Sequence, residues 1–253
     1  MVDKKRFDEV CDYIIHSTAT REGIGTLSEK TLHAVLKNYY EPDENCQEIK
    51  IGAKVADILN ETGVIEIQTK QFNKLRGKLS IFLADYPVTI VYPIARTKWL
   101  CWIDETTGEI SPKRKSPKKG KAHQIFLELY KIKEFLTNSN LALRVVLVEV
   151  EEYRYLNGWS KDRKKGSHCS DRIPVGLDEE IVIACIGDYG KFIPKNLIEP
   201  FTSKDFAKEA KIPVGLSQVA LNVMCSVGVI RYVGKQGRLK LYDTCEGVEK
   251  CYE

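Results

Sequence analysis

No stretch of this chain approaches the ~18 consecutive apolar residues that cross a bilayer. No two cysteines stand at CxxC spacing, and the net charge is only +4. The first absence excludes a helical integral membrane protein. The second leaves the eight cysteines without a zinc motif or a disulfide framework, so reduced thiols of a cytoplasmic protein are expected. The third is too small to imply a nucleic-acid partner by itself; where the charges sit matters more. The opening run Met1-Val2-Asp3-Lys4-Lys5-Arg6 also lacks the apolar segment of a secretory signal. What is present is 253 residues, 43% of them hydrophobic, enough for one large or two modest cores.

Periodicity places the elements. Phe7, Val10, Cys11, Ile14 and Ile15 have helical spacing; Gly23 and Gly25 then interrupt the pattern. Ser28 is a candidate N-cap for a second helix from Glu29 to about Tyr40, with Leu32, Val35, Leu36 and Tyr39 as its apolar stripe. Three short strands are expected at 47–51, 54–59 and 64–69. Phe72, Leu75, Leu79, Phe82 and Leu83 predict an amphipathic helix, and 87–93 reads as a buried central strand. Further on come a hairpin at 99–110, a helix at 122–136, and strands at 143–150 and 180–186. The order around residues 28–93 is helix, three strands, helix, strand.

Two acids stand out within it. Asp57 lies in Val55-Ala56-Asp57-Ile58-Leu59 and Glu66 in Val64-Ile65-Glu66-Ile67-Gln68, with Asn60-Glu61-Thr62-Gly63 as the turn between. Alternation puts Glu66, Gln68 and Lys70 on one strand face. A hairpin presenting two carboxylates and an amide on one side suits a hard divalent cation, which prefers oxygen ligands. The alternative is an exposed polar hairpin face. Against it, both acids sit among aliphatic neighbours, where an unpaired carboxylate is costly. His33 reads as a helix residue rather than a base. Glu149 and Glu151 form a rival acidic pair without a partner at suitable spacing.

This pattern resembles the PD-(D/E)xK, or restriction endonuclease-like, nuclease superfamily, in which an acid ends one strand and Glu-x-Lys follows on the next. The resemblance is close over 28–93 and loose to about 152. It implies an α/β fold, a mixed sheet flanked by helices, and a site holding Mg2+ or Mn2+. Asp57, Glu66, the carbonyl of Ile67 and helical Glu29 are the implied ligands. Gln68 stands where the lysine usually is, a glutamine being found there in some branches; Lys70, or Lys74 or Lys78 from the next helix, would replace it.

Two basic stretches point to phosphate contacts: Lys113, Arg114, Lys115, Lys118 and Lys119, and then Lys161, Arg163, Lys164 and Lys165, with Trp159 beside the second. The tail from about 191 has another texture. Helix, turn, helix and a two-stranded hairpin resemble a winged helix-turn-helix, with Ser217, Gln218 and Asn222 toward bases and Lys235 and Arg238 on the backbone. The expected organisation is therefore a nuclease core at 1–190 and a winged helix at 191–253. The expected function is a cytoplasmic, metal-dependent DNA endonuclease, acting as a homodimer if it cuts duplex, with no membrane partner. The alternative is a non-catalytic DNA-binding regulator that retains the fold.

Overall fold

In the computed structural model, residues 3–19, 30–155 and 167–248 are described. Two helices, α1 (Lys4–Ala19) and α2 (Lys30–Tyr40), precede strands β1 (Gln47–Ile51), β2 (Lys54–Asn60) and β3 (Gly63–Ile67). Helix α3 (Arg76–Asp85) leads into β4 (Val88–Ile103), and the two-residue β5 (Arg114–Lys115) pairs back on β4. After α4 (Phe126–Leu129) come β6 (Leu141–Tyr155) and β7 (His168–Ile183). The main sheet runs β1-β2-β3-β4-β6-β7. It is mixed: β2 and β3 are antiparallel, β3 and β4 parallel. The chain is an α/β protein.

The contacts sort into two interleaved units. One contains the described parts of Met1–Gln47, Pro93–Gly120 and Val146–Glu180; the other contains Glu48–Tyr92, Lys121–Val145 and the described part of Ile181–Glu253. These units do not follow the expected boundary at 190/191. The tail elements α5 (Ser203–Glu209), α6 (Val214–Ser226), β8 (Ile230–Gln236) and β9 (Leu239–Thr244) do have the expected order. However, α6 packs on α4 within the second unit, so the tail shares that unit's core.

In the first unit Phe7, Val35 and Leu36 are fully buried, as are Val148 and Val150 of β6. In the second, Phe72, Leu79, Phe82, Ile90, Phe126, Phe192 and Phe206 form the interior. Gly63 sets the position of β3 there. Its φ is +109°, and a Cβ on it would stand 2.3 Å from the carbonyl oxygen of Pro87. Only glycine permits that approach, which lets the Val64 N–H reach Pro87 O at 2.9 Å and start the parallel pairing with β4.

Three elements depart from expectation for physical reasons. The expected helix at 122–136 is mostly 3₁₀, with Ile132 outside helical geometry (φ −127°, ψ 26°). Phe126, Leu129, Ile132 and Phe135 recur every third residue, and three residues per turn keeps such a series in line. The strand expected at 180–186 is instead the sixteen-residue β7. Pro174 lies inside it without breaking it, because β7 ends the sheet order and an edge strand tolerates proline. The basic loop at 113–115 is not loose, because Lys115 and Arg114 pair with Trp99 and Leu100.

Candidate functional site

Strands β2 and β3 bring the two acids together. Their register pairs Ile58 with Ile65 and Leu59 with Val64; one step further sets Asp57 opposite Glu66, on the face away from the two isoleucines. The Ile67 N–H donates to Asp57 Oδ2 at 2.8 Å, and the Asp57 N–H lies 3.4 Å from Glu66 Oε1. Every residue of β3 is buried, Glu66 to 1% exposure, whereas Asp57 is half-buried.

The cation beside this pair comes from α3. Lys78 Nζ donates to both oxygens of Glu66, at 3.0 and 2.8 Å. The helix can offer it because its apolar side (Leu79, Phe82, Leu83) is buried, leaving Lys78 on the flank with 26% exposure. Upstream, the turn entering α3 is fixed by Glu128, whose Oε2 accepts the Phe72 N–H at 2.8 Å. Burial first, and then the charge of Asp57, push the Glu66 carboxyl up to about 7 despite the opposing pull of Lys78. Half-protonated near neutrality, this buried acid gains from added positive charge.

Gln68 and Lys70 lie elsewhere. Strand β3 stops at Ile67. The Gln68 N–H still reaches Val91 O at 2.9 Å, but the Gln68 amide donates to the Lys70 carbonyl in the bend that follows. Lys70 is exposed in that bend and has left the strand face, because the chain turns toward Gln71, at φ +62°. Lys74 is exposed too. Lys78 bonds Glu66 of the acid pair, and its place on the flank of an amphipathic helix was the available signal. Glu29 lies outside the described residues. Among the described residues no three His, Cys, Asp or Glu side chains gather as a metal-binding group.

The basic residues divide. Lys113 and Lys115 lie over the Trp99 ring at 5.7 and 5.2 Å, and Lys113 Nζ is 2.9 Å from Glu151. The rival pair is thereby accounted for, since Glu149 accepts from the Trp99 indole. Arg114, Lys118 and Lys119 are exposed. Trp159, Lys161, Arg163, Lys164 and Lys165 lie outside the described residues.

In the tail, Ser217 is fully buried and donates to Ser203 O at 2.7 Å. It cannot face a base edge, because this side of α6 packs on α5. Asn222 is exposed and accepts from Lys133 Nζ at 2.9 Å. Gln218, Lys235 and Arg238 are exposed.

Fold and site together define a mixed α/β protein with an acid pair on a β-hairpin and a helical lysine bonded to one of the acids. Residues 30–184, which carry all three groups, match the model of the family described as Domain of unknown function (DUF8091), and the chain belongs to that family. A protein of Treponema pallidum (strain Nichols), described as "Uncharacterized protein", is 28% identical over 221 residues, covering 87% of this chain and 86% of that protein. No solved structure matches the chain. No described helix is long and apolar enough to cross a membrane.

Proposed function

We propose that this protein is a metal-dependent endonuclease that hydrolyses DNA phosphodiester bonds, with its active site at Asp57, Glu66 and Lys78. The observation that carries this is the Lys78 ammonium bonded to buried Glu66 opposite Asp57. The PD-(D/E)xK pattern needs a lysine beside its two acids. Where Gln68 breaks that pattern, the following helix supplies the charge. The order α2-β1-β2-β3-α3-β4, with β3 and β4 parallel, supports the same fold assignment.

The donor chemistry fits magnesium or manganese. Asp57 and Glu66 offer carboxylate oxygens, the Ile67 carbonyl is the implied third donor, and water would complete so sparse a protein set. When bound, such an ion makes a water more acidic and offsets charge on the phosphate. Asp57 and Glu66 would hold it, Asp57 being the more exposed of the two. Lys78 would then turn toward a phosphate oxygen, giving a fixed positive charge where negative charge builds. Arg114, Lys118 and Lys119, and separately Lys235 and Arg238 of the tail hairpin, are exposed and would contact DNA phosphates without reading sequence.

Supercoiled plasmid and single-stranded DNA incubated with Mg2+ or Mn2+ test the proposal, comparing wild type with Asp57→Ala and Lys78→Ala. Nicking by wild type alone is the expected result. Equal nicking by all three proteins marks a contaminant and removes the enzymatic claim. DNA binding that survives without any cleavage identifies the non-catalytic regulator instead.

A further inference from the structure

A second polar cluster lies on β6 and β7 of the first unit. Glu152 is 1% exposed, yet it carries charge. Burial alone would raise its titration; Arg172, then Lys98 and Arg154, overcome that and hold the carboxyl below its ordinary value. Arg154 bonds Glu152 Oε1, and Arg172 Nε lies 2.9 Å from Oε2. Arg154 also donates to the Ser167 hydroxyl at 2.9 Å. Both guanidinium groups reach solvent, with 23% and 40% side-chain exposure. Ser170, two residues before Arg172 on β7 and so on its strand face, is 3% exposed, and its hydroxyl has no hydrogen-bond partner. The nearby carboxylate of Asp171 is engaged by the Thr31 hydroxyl at 2.6 Å.

We propose that Arg154 and Arg172, braced by Glu152 and assisted by Lys98, Ser167 and Ser170, form a binding site for a terminal phosphate monoester. The buried carboxylate acts as a clamp. It fixes both guanidinium planes from beneath, so little side-chain entropy is lost when their outer N–H groups meet an anion. Paired arginines match phosphate oxygens in geometry as well as charge. Among the described residues that act on it, three cations surround the Glu152 carboxylate, which favours a dianion over the single charge of a phosphodiester. Ser167 and Ser170 add hydroxyl groups that can donate to phosphate oxygens. The site stands whether or not the acid pair cleaves DNA.

The test uses the full chain. Thermal unfolding is followed with inorganic phosphate against chloride at equal ionic strength, for wild type, Arg172→Lys, Arg172→Gln and Glu152→Gln. Phosphate is expected to raise the wild-type midpoint and to lose most of that effect in both Arg172 variants. Glu152→Gln should begin less stable and gain less from phosphate than wild type, because the two guanidinium groups lose the carboxylate that holds them in place. A purely structural ion-pair cluster gives the same phosphate response in all four proteins, and that result overturns the proposal. Matched oligonucleotides with 5′-phosphate or 5′-hydroxyl ends then distinguish sources. Binding about tenfold tighter to the phosphorylated strand, a difference of about 1.4 kcal/mol, identifies a nucleic-acid end. Equal binding of the two, with the phosphate response still dependent on Arg172, identifies a small phosphorylated molecule.

Discussion

Replacing Glu66 by glutamine should stabilise this protein in mild alkali. The carboxyl titrates near 4.5 when exposed and near 7 in the fold, because burial and then Asp57 raise it more than Lys78 lowers it. Between those values the folded chain keeps a proton that the unfolded chain releases. The stability linked to this group is therefore fully present below pH 4.5 and is lost as pH rises through 7. At about 1.4 kcal/mol per pH unit the loss approaches about 3 kcal/mol by pH 8. Glutamine keeps the shape and removes the charge, but gives up a charged bond to Lys78, worth about 1.5 kcal/mol. The net expectation is a gain of about 1.5 kcal/mol at pH 8 and none at pH 5. Urea unfolding of both proteins at the two pH values measures it. Mg2+ should stabilise wild type at pH 8 and leave Glu66→Gln unchanged. A variant less stable than wild type at pH 8 would refute the reasoning, since the ionised carboxylate would then be a net stabiliser.

Four further outcomes are expected. Lys78→Ala should lower nicking by about 10²-fold, the usual scale for removing one electrostatic donor, while Lys70→Ala leaves it unchanged in the same plasmid assay. His123 is fully buried, bonded to Phe192 O at 2.8 Å, and pushed down to about 4, chiefly by burial. The unfolded chain therefore binds the extra proton first as pH falls below 6.5, costing about 3 kcal/mol by pH 4; His123→Gln should flatten that acid limb of unfolding. Gly63→Ala, with its Cβ against Pro87 O, should cost about 2 kcal/mol or more, read as a lowered urea midpoint. Ser217→Ala should lose about 1 kcal/mol of stability with no change in DNA affinity measured by fluorescence anisotropy.

What could be read in the amino-acid order was whatever depends on near neighbours. The β2-turn-β3 hairpin, the position of α3 and the facing of Asp57 and Glu66 follow from alternation, a glycine turn and an apolar stripe, all within one short stretch. The order of the tail elements was equally visible. Lys78 was only one of three lysines until the packing of α3 turned it toward Glu66. The Glu152–Arg154 spacing is a strand signature in hindsight, but Arg172 lies on another strand and nothing local links it to them. Strand β7 was hidden because tolerance of proline depends on its edge position, a property of the sheet. The burial of Ser217 likewise depends on the contact of α6 with α5.

Asp57 and Glu66 are nine residues apart, and Glu66 and Lys78 twelve. Bringing these charges together closes only small loops, whose entropy cost grows with the logarithm of their length. The cradle for a cation can thus be assembled early from one run of chain, whereas the Glu152–Arg172 clamp, twenty residues apart, must wait for β6 and β7 to meet. A permuted chain with new ends in the exposed turn at 105–107 would keep the acidic hairpin and its lysine on a single uninterrupted segment.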